Sequence, residues 1–135
     1  RKFIFAVPFV FYSCFLIFDI LPVIGGRALP GAMELTKSYR YGIFTRTIAF
    51  IYNNSKHLGG AFPSSHVAIA VAITVSTFRN AKRLRWILAG ITLLLSISTV
   101  YCHYHYFIDM VVGLIFGISV FYLSLYVYQK LETDV

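Results

Sequence analysis

Two short stretches of this chain carry side chains able to do chemistry. Residues 63–66 read Pro-Ser-Ser-His, and residues 103–109 read His-Tyr-His-Tyr-Phe-Ile-Asp. His66 can give or take a proton near neutral pH. Pro63 suits the first position of a helix because it has no N–H to leave unsatisfied. The free N–H groups of that turn, with the helix dipole, make a ready site for phosphate, and Ser64 and Ser65 add hydroxyl donors. The plainer alternative is a capped helix whose histidine faces polar headgroups. His105 and Asp109 are four residues apart. If a helix has begun by His105, both share one face and the carboxylate can meet the imidazole. A carboxylate on one ring nitrogen fixes the tautomer and leaves the other nitrogen nucleophilic. The alternative is a lone Asp109 bonded to a neighbouring helix. Paired histidines among aromatics would also suit haem or a metal, but no cysteine or carboxylate cluster has the spacing. Neither metal nor cofactor is expected.

The elements that must hold these residues read as membrane helices. Of the 135 residues, 59% are hydrophobic and 13% charged, and the mean hydropathy is +0.75. A soluble domain of this length carries about 25% charged residues. Apolar runs occupy residues 3–24, 62–78, 86–101 and 107–128. Crossing the hydrocarbon takes about 17–25 helical residues, so the outer two runs suffice and the inner two extend into their flanks. The fold class expected is an all-α, multi-pass transmembrane bundle with about four spans. Residues 33–52 within the basic connection 25–61 add an amphipathic helix at the membrane surface. Residues 1–135 form a single domain. The first run lacks a small-residue cleavage site and is long for a signal peptide. Cys14 and Cys102 sit in apolar stretches and read as buried free thiols.

Charge sets an orientation. The link at residues 79–85 holds Arg79, Lys82, Arg83 and Arg85, and short loops this basic favour the cytoplasmic side. Pro63 then opens the second span and Tyr101 closes the third, so His66, His103 and His105 share the opposite face with Arg27. The segment 25–61 is also basic, which either inverts the topology or serves an anionic ligand. A net charge of +7 fits an anionic membrane surface and an anionic substrate. Nucleic acid is a poor partner, because the charges lie in loops between spans.

With "PSSH" at 63–66 and "STVYCHYHYFID" at 98–109, the chain resembles the type 2 phosphatidic acid phosphatase superfamily, which shares its core with vanadium haloperoxidases. The family pattern is Lys-x6-Arg-Pro, then Pro-Ser-Gly-His, then Ser-Arg-x5-His-x3-Asp. The spacing from Ser98 to His105 and Asp109 matches the third part. "DILPVIGGR" looks like a degenerate first part ending at Arg27. Ser65 stands for the usual glycine, Thr99 for the phosphate-binding arginine, and Ile20 where the lysine is expected. The resemblance covers nearly the whole chain, in the order of the last four helices of a six-helix core. It implies that two helices precede Arg1, and the chain is read as a fragment or processed form.

That resemblance implies an integral membrane phosphatase acting on a lipid phosphate or pyrophosphate through a phosphohistidine, with no metal. His105 would attack phosphorus, Asp109 would orient it, and His66 would serve as acid and then base. Arg27, Ser64, Ser65 and His103 would hold the phosphoryl oxygens, with backbone N–H groups at 64–66. The site would open to the periplasm, lumen or exterior of a plasma or inner membrane. Two other readings stand beside it. One is a phosphotransferase or sphingolipid-type synthase that uses an alcohol as acceptor, which the "YHYFID" form also resembles. The other is an inactive, lipid-binding homologue.

Overall fold

The computed structural model describes residues 2–26, 42–54 and 60–133. The described residues are all-helical: α1 (Lys2–Ile20), α2 (Ile43–Asn54), α3 (Ser65–Asn80), α4 (Arg85–Tyr101) and α5 (Phe107–Thr133). Each apolar run became a helix, and the C-terminal half of the expected surface helix became α2. Residues 33–41 of that expected helix lie outside the described residues.

At about 1.5 Å per residue, α1 spans about 28 Å and α5 about 40 Å, against a hydrocarbon core of about 30 Å. Both are long and apolar enough to cross a membrane, while α3 and α4 are apolar but shorter. Their outward surfaces are rich in large apolar side chains, including Leu94 at 68% and Tyr126 at 65% exposure. A protein facing water on all sides rarely presents so continuous an apolar surface.

Small residues let the helices approach closely. The core joins Ala6, Val10 and Cys14 of α1, Ala68 and Ala72 of α3, and Val120 and Phe121 of α5. Gly113 and Gly117, one turn apart on α5, face α3. A Cβ on Gly113 would lie 2.8 Å from the Ser64 carbonyl oxygen, and one on Gly117 would lie 2.5 Å from that of Ala68. This small-xxx-small pairing is how helices dock when lipid removes the hydrophobic drive between them. α4 is tied to α3 through hydroxyls: Thr74 Oγ1 and Thr92 Oγ1 are 2.8 Å apart, and Thr92 donates to the Ala70 carbonyl at 3.3 Å. α4 and α5 barely touch. An apolar cleft of about 300 Å³ remains between them, lined by Val71, Thr92, Leu93, Ser96, Met110 and Leu114.

The chain alternates direction. The Phe5 ring of α1 meets the Tyr128 ring of α5 at a tilt, with centroids 5.5 Å apart, so the start of α1 and the end of α5 share one end of the bundle. At the other end, the Ala61 N–H donates to the Val23 carbonyl at 3.1 Å, and Gly25 lies against the Tyr104 carbonyl. Three connections therefore converge there: 21–26, 60–64 and 102–106.

Candidate active site

The expected chemistry-bearing residues meet at that convergence. α3 begins two residues later than the sequence implied, at Ser65 rather than Pro63. Ser64, extended at φ −65 and ψ 104, is the N-cap, and Pro63 precedes it. The Ser64 N–H donates to the Asp109 carbonyl at 3.1 Å, so it cannot serve a phosphate. The N–H groups open to an anion are those of Ser65, His66 and Val67, because the fourth, from Ala68, returns to the Ser64 carbonyl at 2.9 Å. The Ser64 side chain does not cap the helix. It is fully buried, yet its Oγ has no hydrogen-bond partner among the described residues. An orphaned buried hydroxyl costs about 1–3 kcal/mol, and one beside an open helix mouth is available to a ligand.

The second motif is built by how α4 stops. The Tyr104 and His105 N–H groups reach back to the Thr99 carbonyl, both at 3.1 Å, and the His103 N–H reaches that of Val100 at 3.0 Å. This is a Schellman cap, whose left-handed position glycine or asparagine usually takes. Here His103 takes it, at φ 55, a strained choice for a bulky residue and one found at functional sites. The His103 ring is exposed.

His105 lies in the loop, not on a helix, and is 6% exposed. The expected hydrogen bond from Asp109 is not the one it makes. His105 Nδ1 lies 2.7 Å from the Ala61 carbonyl, which accepts only, so Nδ1 carries the proton and Nε2 is left with its lone pair. Asp109 Oδ2 instead accepts the Tyr106 N–H at 2.8 Å. Tyr106 is the N-cap of α5 and Asp109 its third residue, so the carboxylate closes the first turn as in a capping box. The reason for the difference is the Schellman cap: it ends α4 at Tyr101 and delays α5 to Phe107, so the four-residue spacing is not helical. Asp109, 2% exposed, still acts on His105 through space. Burial pushes the His105 pKa below the usual histidine value, the Ala61 carbonyl opposes this, His66 adds to it, and the Asp109 charge opposes it.

His66 and His105 face each other, with ring centroids 5.8 Å apart. His66 is exposed and His105 buried. Ser65 follows the cap at the first position of α3, half-buried. Thr99, where the resemblance places an arginine, turns its hydroxyl to the Ser96 carbonyl at 2.8 Å. Arg27 lies outside the described residues; the chain before it ends at Gly26, against the His103 carbonyl. Among the described residues no group of three His, Cys, Asp or Glu side chains is placed to hold a metal. Sequence reasoning missed the Ala61 carbonyl, which leaves no trace in a residue type. The neighbouring Gly60, at φ 82 and packed on the Phe18 ring, was its one available signal.

The family model of the PAP2 superfamily matches residues 1–123. The chain belongs to the PAP2 superfamily. It is 30% identical over 108 residues to a PA-phosphatase related-family protein of Dictyostelium discoideum, across 78% of this chain and 19% of that protein. The chain thus spans about a fifth of that relative's length. No solved structure matches. Membership in the superfamily, together with two helices long and apolar enough to span a bilayer, points to a membrane protein.

Proposed function

We propose that this PAP2 chain hydrolyses a lipid phosphate or pyrophosphate through a phosphohistidine on His105. The observation that carries the reading is the facing pair, buried His105, whose Nδ1 is held by the Ala61 carbonyl and whose Nε2 has no hydrogen bond among the described residues, and exposed His66, beside the Ser64 hydroxyl. In the first step the Nε2 lone pair attacks phosphorus and the bond from phosphorus to the lipid oxygen breaks. His66, protonated, gives its proton to that oxygen. The positive charge left on the phosphorylated imidazole is held by the Nδ1–H bond to Ala61 and by the Asp109 charge. In the second step water attacks phosphorus, His66 takes its proton, and the N–P bond breaks to return neutral His105. Neither step needs a metal.

The N–H groups of Ser65, His66 and Val67 and the Ser64 hydroxyl would hold the phosphoryl oxygens, where transition-state charge gathers. Arg27, Ser65 and His103 would complete that grip. The apolar cleft beside Met110, the residue after Asp109, supports a substrate with a tail in lipid. We read α1, α3, α4 and α5 as four spans within one domain, with α2 on the surface of the side that bears the site. The basic 79–85 link then faces the cytoplasm. Impermeant labelling of a cysteine placed at Asn80, but not of one at Asn54, in intact cells would reverse that orientation.

Phosphate release from a panel of lipid phosphates by the full-length protein tests the function. His105→Ala should abolish turnover and His66→Ala should reduce it about 10²–10⁴-fold. Near-normal turnover by the His105 variant would sink the assignment. No turnover by a folded wild type on any lipid would favour a binding homologue instead.

A further inference from the structure

The end of the bundle away from the histidines holds a cationic cluster that catalysis does not use. α3 and α4 are joined there by a tight turn in which the Ala81 carbonyl accepts from the Leu84 and Arg85 N–H groups, at 3.1 and 3.2 Å. Lys82, Arg83 and Leu84 are exposed on it. The Arg85 guanidinium carbon lies 5.9 Å from the Phe78 ring centroid and 5.6 Å from that of Trp86. Those two rings meet edge to face at 5.6 Å. Arg85 Nε is buried and has no hydrogen-bond partner among the described residues. No acidic residue occurs between Ser64 and Ile108. Glu132 belongs to the same end of the bundle but makes no ion pair among the described residues.

We propose that this turn binds the phosphodiester of an anionic phospholipid, in the leaflet opposite the catalytic end. A guanidinium clamped against two aromatic rings is held in one orientation, and cation–π contact supplies about 0.5–2 kcal/mol toward holding it there. Its donors form a planar fork that fits two phosphate oxygens at once. Lys82 and Arg83 extend the field outward, and the first turn of α4 has no side-chain cap to compete for an anion. The ligand is a lipid rather than a free anion because the cluster sits on apolar ground. Leu84, Trp86 and Ile87 are exposed at 52, 67 and 60%, with the tryptophan at the level where such rings mark the membrane interface. A lipid covers that surface with its glycerol and upper chain while its phosphate reaches Arg85. Inorganic phosphate cannot do so.

Trp86 is the single tryptophan of the chain, so the site contains its own reporter. The full-length protein, with any tryptophan outside these 135 residues changed to phenylalanine, is placed in nanodiscs of zwitterionic lipid doped, at equal mole fraction, with an anionic or a zwitterionic lipid brominated high in its chains. Trp86 should be quenched more strongly by the anionic quencher. Each cation near such a surface is worth about five-fold in lipid preference, so Arg85→Gln should lower the ratio by about that factor. Lys82→Gln should lower it less, and inorganic phosphate should not relieve the quenching. Comparing two lipids within one variant removes any change in the intrinsic emission of Trp86. Equal quenching of the wild type by both lipids would overturn the proposal, as would an Arg85→Gln protein that keeps the full preference. Relief by inorganic phosphate would mark a general anion site and overturn it too. Lipid-phosphate turnover should be the same in all three proteins.

Discussion

Asp109→Asn separates two ways of holding a catalytic histidine. In a hydrolase whose carboxylate bonds the histidine directly, this change lowers turnover about 10⁴-fold, because the wrong tautomer results. Here the tautomer of His105 is set by the Ala61 carbonyl at 2.7 Å, and the Asp109 carboxylate bonds the Tyr106 N–H at 2.8 Å. Asparagine keeps an oxygen for that N–H and loses only the charge. A hydrogen bond to a charged group is worth about 1 kcal/mol more than one to a neutral group, so Asp109→Asn should destabilise by about that amount. Through-space support for the imidazolium would also fall, by about ten-fold in kcat at most, which corresponds to about 1.4 kcal/mol. Asp109→Ala, which removes the cap as well, should cost about 1–2 kcal/mol of stability and disturb turnover more than Asn does. The assay is kcat and thermal unfolding on the same purified preparations. A loss of 10³-fold or more in Asp109→Asn, with unchanged unfolding, would refute the reasoning and make Asp109 the group that orients His105.

Three further outcomes follow from the same geometry. Ser64→Ala should leave stability unchanged or raise it, by up to about 1–3 kcal/mol, because it removes an orphaned buried hydroxyl; KM should rise at the same time. A fall in stability would show that the hydroxyl has a partner inside the fold. Gly117→Ala, whose Cβ would meet the Ala68 carbonyl at 2.5 Å, should cost about 1–3 kcal/mol by overpacking, read as a lower unfolding temperature, and an unchanged one would deny the close α3–α5 crossing. The depressed pKa of His105 predicts an acidic limb of kcat/KM below the usual histidine range, with activity rising as His105 loses its proton. The same group contributes stability that is complete above the unfolded histidine pKa and is lost as pH falls through the lower folded value. An acidic limb above the ordinary histidine pKa would contradict the burial of His105.

Much of this arrangement is legible in residue types. The apolar runs mark the helices because outward-facing and core-facing positions are both apolar, and length separates α1 and α5 from the shorter α3 and α4. The Pro-Ser-Ser-His stretch marks a helix mouth, although the helix starts at Ser65 and not at Pro63. What residue types conceal is the main chain between helices. His103 occupies a left-handed position that glycine normally signals, so nothing in "CHYHY" announces the end of α4 or the delay before α5. With that end unseen, a helical reading of His105 and Asp109 was natural and their bond was expected. The acceptor that holds His105 is a carbonyl of Ala61, forty-four residues upstream, and a carbonyl belongs to every residue alike. The Gly113 and Gly117 pair was visible in "GLIFG", but only the structure shows that Ser64 and Ala68 are what it admits.

The central claim is that His105 carries the phosphoryl group. The direct measurement is rapid acid-free quenching of the full-length protein during turnover of a phosphorus-labelled lipid phosphate, followed by mass spectrometry of its peptides. The account predicts an acid-labile, base-stable phosphate on His105, absent from His105→Ala. A label on any other residue, or turnover with no covalent phosphate at any quench time, would contradict it.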